Sequence, residues 1–306
     1  FEIASNDGYL LQHYRRMGVP VLGIEPAGNV AEVAWLDRGI PSLVRYFTAA
    51  LGAHFKACGW QADLVHGHNV FAHVPDPTDF MTGVRDALKP GGLCVIEAPY
   101  LVDFIEKLEF DTIYHEHFSY FSLTAVVDIC RRAGMEVVRV ERVPIHGGSI
   151  RMFFAHAGTA SAHGSVAERL EDEARLGVRT AAYYADFARR VWGLRDELVG
   201  CLKRLRAEGR SVAAYGASAK GSTLMNVFGI GADLIDFVAD RSPAKQGRYT
   251  PGNHLPIVAP AALMERKPDY VLLLTWNFEQ EILRQQDAYR RAGGKFIIPL
   301  PAVRIV

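Results

Sequence analysis

Phe1-Glu2-Ile3-Ala4-Ser5-Asn6-Asp7-Gly8 opens the chain and decides its fold. A short apolar stretch runs into a turn of small and polar residues, and Tyr9-Leu10-Leu11-Gln12-His13-Tyr14 then reads as helix. Val19-Pro20-Val21-Leu22-Gly23-Ile24-Glu25-Pro26 adds a second apolar strand that ends in an acid. In a doubly wound sheet the tight turn lets a cofactor approach the backbone at a helix N-terminus. The acid at the tip of the next strand accepts hydrogen bonds from ribose hydroxyls. The pattern lacks the G-x-G-x-x-G form, and Glu25 also suits a surface acid after a strand. A central strand normally runs about five or six residues, so a chain starting at Phe1 reads as an N-terminally trimmed piece of a longer protein.

The same alternation continues. Asn29–Arg38 reads as a helix, Pro41–Val44 as a strand and Ala49–Cys58 as a helix. Ala62–Val74 gives a buried strand, a turn and a helix start, with Asn69 near the carboxyl end of the strand. Ligands of open α/β sheets bind at those ends. Asn69 and His73 stand at i and i+4, which puts them on one face of a helical turn. A helix cap at Asn69 with a packed His73 is the competing reading. Asp79–Leu88 reads as a helix, Lys89-Pro90-Gly91-Gly92 as a turn and Leu93–Ala98 as a further strand. Repeated strand–helix units predict a parallel sheet with helices on both faces.

The second half repeats the theme. Ser149 leads into a strand over Ile150–Ala155, His156–Gly164 reads as a boundary, and Ser165–Glu208 is helical in two arms split around Gly177. Arg210–Thr223 is a second strand–turn–helix. Further strands are expected at Leu234–Ala239, near Ile257, at Tyr270–Thr275 and at Lys295–Pro299. Asp240 would end the second strand of this half as Glu25 does in the first. Glycines and free N–H groups at the turn after Tyr215 suit an anion, and Lys220 adds a charge. Packing alone would equally explain a duplicated fold. The expected domains are 1–160 and 161–306.

Composition excludes several classes. Over 306 residues, 49% are hydrophobic and 22% charged, the mix of a globular chain of about two domains. Formal net charge is zero and no basic stripe is present, so nucleic acid is not an expected partner. No apolar run approaches roughly 18 residues, so no membrane span is expected. Cys58, Cys94, Cys130 and Cys201 lie far apart without zinc-ligand spacing. They suit reduced, mostly buried thiols in a cytoplasmic protein.

Phe110–Tyr120 concentrates chemistry: Asp111, Tyr114, His115, Glu116 and His117 lie among Phe110, Phe118 and Tyr120. His, Glu and Tyr together can move a proton near neutral pH. The competing reading is a charged, solvated turn. His115 and His117 would share one side of a strand, as metal-binding pairs do, but a third ligand is not obvious nearby, and no metal is expected here.

Glu2–Gly8, Asn69 with His73, Phe110–Tyr120, His146-Gly147-Gly148-Ser149-Ile150-Arg151, Tyr215–Gly221 and Trp276-Asn277-Phe278 together resemble the deoxysugar C-methyltransferases of antibiotic biosynthesis. The resemblance runs over the whole chain. It implies a Rossmann-like class I methyltransferase domain, then helices and a second, smaller Rossmann-like α/β domain. It implies S-adenosylmethionine as cofactor, on Ala4, Ser5, Asn6, Asp7, Gly8 and Glu25, and a TDP-linked keto-deoxysugar as substrate. His117 is the implied base, with Glu116 orienting or polarising it and Tyr114 donating to the enolate oxygen or holding the sugar. Asn69 and His73 would contact the sugar. His146, Arg151, Ser218 and Lys220 complete the implied substrate contacts, the last two near the diphosphate. Arg151 fits a solvated strand residue equally well. Zinc is expected only in a small cysteine lobe that the family carries before the first strand. A two-domain NAD-dependent dehydrogenase and a non-catalytic sugar-nucleotide-binding relative are the alternatives.

Overall fold

A computed structural model describes residues 1–145 and 147–306; His146 lies outside the described residues. The chain forms two compact units, Phe1–Asp103 with Glu116–Arg179, and Phe104–His115 with Thr180–Val306.

The first unit is built on a sheet of β1 (Glu2–Ile3), β2 (Gly23–Ile24), β3 (Ser42–Leu43), β4 (Ala62–His68), β5 (Leu88–Pro99), β6 (Met135–Val143) and β7 (Ser149–His156), in the order β3-β2-β1-β4-β5-β7-β6. β1 to β5 pair in parallel, while β7 runs antiparallel to β5 and β6 to β7. Helices α1 (Leu11–Arg16), α2 (Gly28–Arg38), α3 (Ala49–Ala57), α4 (Pro77–Ala87), α5 (Leu101–Glu106), α6 (Leu123–Ala133) and α7 (Gly164–Leu176) follow in chain order. Local chemistry fixes their ends. Asp76 caps α4 by accepting from the Thr78 and Asp79 N–H groups, and Pro77 takes the first helical position, where its missing N–H costs nothing. Ser122 caps α6, and Gly134 ends it in the left-handed conformation. Ile3, Ile24, Val65, Ile96 and Phe154 bury the sheet interior.

The structure revises several boundaries. The second strand shrinks to Gly23–Ile24. The Lys89–Gly92 turn lies inside β5, because Ala62 pairs with Leu88 and Leu64 with Leu93, so the intervening residues bulge out. Asn69 caps no helix; it takes a left-handed φ of 54°, and only a short 3₁₀ turn, Phe71–His73, follows.

The second unit holds a sheet of β8 (Val212–Tyr215), β9 (Val238–Ala239), β10 (Ile257–Val258), β11 (Tyr270–Leu273), β12 (Lys295–Ile298) and β13 (Arg304–Ile305), ordered β10-β9-β8-β11-β12-β13. All pairs are parallel except the last. Sequence reading gives no sign of β13, whose residues are exposed. Its helices are α8 (Ala181–Ala207), α9 (Ala219–Phe228), α10 (Ala262–Arg266), α11 (Glu279–Gln285) and α12 (Asp287–Arg291). Val191, Leu194, Leu198 and Leu202 are the buried stripe of α8, and they join Leu224, Leu272 and Ile297 in one core.

The units differ from a division at residue 160 on two counts. α7 belongs to the first unit, because the buried Glu173 carboxylate accepts from the Leu123 and Thr124 N–H groups at the start of α6, and from the Tyr100 and Thr124 hydroxyls. Phe104–His115 belongs to the second, where Phe110 stacks on Phe228 at 4.7 Å.

Candidate active site

The turn after β1 takes main-chain conformations that ordinary residues rarely adopt. Ala4 and Asn6 both take left-handed φ angles, 56° and 51°, a conformation that costs a non-glycine residue free energy and marks functional turns. Gly8 is required by its own φ of +74° and because a Cβ there would meet Ile40 at 2.9 Å. Glu25, buried at the tip of β2, accepts from the Asn6 N–H at 3.0 Å and the Ala27 N–H at 2.9 Å, one on each carboxylate oxygen. Each oxygen keeps a lone pair for a further donor. Asp7 pairs with Arg38 at 2.9 Å, and its carbonyl accepts from the same guanidinium. Asp7 thus anchors the turn to α2, while Asn6 and Tyr9 are exposed beside it. The buried Ser5 hydroxyl has no hydrogen-bond partner among the described residues. This turn, Glu25 and Asn69 all follow carboxyl ends of adjacent strands, at β1, β2 and β4. The order reverses between β1 and β4, the switch point at which open sheets bind ligands.

The chain 116–119 docks beside the end of β4. The Phe118 and Ser119 N–H groups donate to the Ala72 carbonyl at 2.8 and 3.3 Å. His73 Nδ1 lies 2.8 Å from the Glu116 carbonyl. That oxygen can only accept, so Nδ1 carries the proton and Nε2 is left as an acceptor when the ring is neutral. The His73 and His117 rings stand 4.9 Å apart, and Tyr120 lies edge-on to His117 at 6.0 Å. Asn69 donates its N–H to the Glu97 carbonyl at 2.8 Å. Of the residues that sequence reading assigns to the sugar and the base, the structure brings the His73 and His117 rings together. Glu116 differs: it enters through its carbonyl toward His73, and its side chain is exposed. Residues 114–116 form a turn, which removes the strand alternation behind a His115–His117 metal pair.

Arg151 lies on β7, bound to Glu97 at 2.8 Å and Glu141 at 3.4 Å. Its charge is largely met within the sheet. His146 cannot be placed, since it lies outside the described residues.

The second unit repeats the first turn's construction. Asp240 accepts from the Ala217 N–H at 2.7 Å and the Ser242 N–H at 2.8 Å. Ser218 caps α9 through the Gly221 N–H, and Lys245 donates to the Ala217 carbonyl. Gly216, at φ +95°, leaves room for Thr275, which a Cβ would meet at 2.6 Å. Lys220 lies over the Trp276 ring at 4.8 Å. Trp276 Nε1 donates to the wholly buried Asp111 at 2.7 Å. Burial pushes the Asp111 carboxyl up to about 6, against the opposing pull of Lys220 and of the Trp276 bond.

One cluster escapes sequence reading: Glu2, His66 and His68, brought together where β1 pairs with β4. Only the His66-x-His68 spacing, which puts both rings on one face of a strand, was available in the sequence.

This order of strands, with the loop–acid pair at its carboxyl edge, is that of the S-adenosylmethionine-dependent methyltransferases. A family described as methyltransferase domain matches residues 1–140, and one described as C-methyltransferase C-terminal domain matches residues 144–301. C-methyltransferase NovU of Streptomyces niveus is 39% identical over 306 residues, covering 100% of this chain and 73% of that protein. A ubiquinone biosynthesis O-methyltransferase of Roseobacter denitrificans is 28% identical over 156 residues, 45% of this chain and 59% of that protein. Magnesium protoporphyrin IX methyltransferase of Synechocystis, solved with bound S-adenosylmethionine, is 11% identical over 51% of this chain and 68% of that one, at a TM-score of 0.39. The chain belongs to the C-methyltransferase family. That membership leaves the dehydrogenase alternative without support. Among the described residues no helix is long and apolar enough to cross a membrane.

Proposed function

We propose that the protein methylates a carbon of a nucleotide-linked keto-deoxysugar of the TDP class, a step of antibiotic biosynthesis in the cytoplasm. The observation that supports this most is the pairing of His73 with His117 beside the carboxyl end of β4, next in the sheet to the strand that carries the cofactor turn. A carbon beside a ketone becomes nucleophilic only after losing a proton, so a base and an oxyanion donor are needed. His117 is the base. His73 fixes the segment by its Nδ1–H bond to the Glu116 carbonyl. Asn69 and His73 contact the sugar, and Tyr114 donates to the enolate oxygen or holds the sugar.

The residues after β1 fit the cofactor. Strained Ala4 and Asn6, with Ser5, Asp7 and Gly8, shape the turn, and Glu25 retains acceptor capacity for ribose hydroxyls. S-adenosylmethionine supplies an electrophilic methyl that the enolate carbon takes. Positioning is worth up to about 7–11 kcal/mol, and base assistance roughly 10²–10⁴-fold. In the second unit Ser218 and Lys220 bind the diphosphate, with Asp240 bracing the turn. Buried free thiols at Cys94, Cys130 and Cys201 suit a reducing compartment.

The test combines calorimetry with turnover. S-adenosylmethionine should bind at micromolar levels, and His117→Ala should keep that binding while losing methyl transfer. The same variant should lose exchange of the substrate's α-hydrogen with deuterated water. Full activity in His117→Ala overturns the base assignment. Cofactor binding without turnover of any TDP-keto-sugar would favour a non-catalytic relative.

A further inference from the structure

The methyl-transfer chemistry leaves one buried cluster unused. Glu2 in β1 and His66 in β4 are register partners, and His68 follows on the same face of β4. One ligand atom from each residue lies within 4.8 Å of the other two. The Glu2 and His66 side chains are 7% and 5% exposed, and His68 is half-buried. The Tyr14 ring of α1 packs against His66 at 5.4 Å, which shields the group from solvent.

The cluster is unsatisfied as it stands. Glu2 Oε2 and His66 Nδ1 have no hydrogen-bond partner among the described residues. The other Glu2 oxygen lies 3.9 Å from Nδ1, beyond hydrogen-bond reach. Buried polar atoms left without a partner destabilise the fold. A simple acid–imidazole hydrogen bond would bring these atoms together, and the structure does not make one. Arg151, the cation acting on His68, is already neutralised by Glu97.

We propose that Glu2, His66 and His68 form a binding site for a divalent transition cation of the zinc class. Two imidazoles and a carboxylate are the donor set such ions take, and three protein ligands leave a fourth position for water. Bonds of about 2.0–2.2 Å put tetrahedral donors roughly 3.3 Å apart. The present spacing therefore closes by side-chain rotation, with no change in strand register. Magnesium and calcium prefer oxygen donors and are disfavoured by the two nitrogens.

The full chain, stripped with chelator, would be titrated with Co²⁺ while the visible absorption of the bound ion is followed, and then with Zn²⁺ in competition. One equivalent per chain is expected, displaced by Zn²⁺. His66→Gln and His68→Gln should each weaken binding by more than ~100-fold, since losing even an outer-shell partner costs 10–100-fold. His54 and Cys58 form a separate thiol–imidazole pair that could also take the ion, so the double variant His54→Ala, Cys58→Ala is the control and should bind as wild type. Circular dichroism and thermal melts establish that the variants fold; half-buried His68 is the safer of the two. Failure of the wild-type chain to bind Co²⁺ below millimolar concentration overturns the proposal. So does unchanged affinity in folded His68→Gln, or loss of binding in the control alone.

Discussion

Trp276 Nε1 donates to Asp111 Oδ2 across 2.7 Å, joining residues 165 positions apart in the chain. The bond is buried, and it fixes the residue that opens the titratable run Asp111–His117. Lys220 completes the group from α9, over the same indole ring.

Asp111 makes stability depend on pH. Its carboxyl is raised from an ordinary value to about 6, mainly by burial. Between about pH 4 and 6 the folded chain keeps a proton that the unfolded chain has lost. The contribution is therefore complete below about pH 4 and is lost as pH rises through 6, by about 3 kcal/mol. Asp111→Asn keeps an acceptor for Trp276 and removes the titration. Urea denaturation of both proteins across this range isolates Asp111 as the difference between the two curves. Parallel curves would show that another group titrates.

His73→Ala should remove the bond to the Glu116 carbonyl and the ring beside His117. Loss of about 1–1.5 kcal/mol of anchoring predicts a fall in kcat/KM of roughly tenfold or more. His73→Asn restores a donor to the carbonyl but not the ring. Partial recovery in Asn over Ala would assign His73 to positioning; no recovery would assign it to the ring's contact with substrate.

Glu25→Gln replaces one acceptor oxygen with an amide that cannot accept from a backbone N–H. The turn after β1 then loses either the Asn6 or the Ala27 bond. The dissociation constant for S-adenosylmethionine should rise about 10–100-fold, with little effect on the melting temperature. Unchanged affinity in calorimetry would remove Glu25 from the cofactor site.

Glu173→Ala should act on stability alone. It leaves the Tyr100 hydroxyl and two N–H groups at the start of α6 without their acceptor. About 3 kcal/mol or more should be lost, which lowers Tm by about 5 °C or more for a chain of 306 residues. A smaller shift by calorimetry would mean that water replaces the carboxylate.

Much of this was legible in the sequence because strand–turn–helix units are local. The turn after Ile3, the acid at Glu25 and the repeat at Tyr215–Gly221 with Asp240 could each be read from neighbouring residues. Long-range pairing could not. Glu2 meets His66 only because β1 lies beside β4, and Asp111 meets Trp276 only through the fold. Arg151 looked free because Glu97 and Glu141 reach it from two other strands. Glu116 looked like an orienting carboxylate, but no sequence pattern tells a side-chain role from a main-chain one. The β13 edge strand has exposed residues and so left no apolar signature.

Phe104–His115 packs with the second unit although the first encloses it in the chain. Recombination between relatives therefore has a hidden seam. A hybrid joined near residue 160 would inherit Phe110 and Asp111 from one parent, and Phe228, Lys220 and Trp276 from the other. Exchange of the second unit between such enzymes needs two grafts, the C-terminal half together with this short upstream insert, for the transplanted core to meet its own partners.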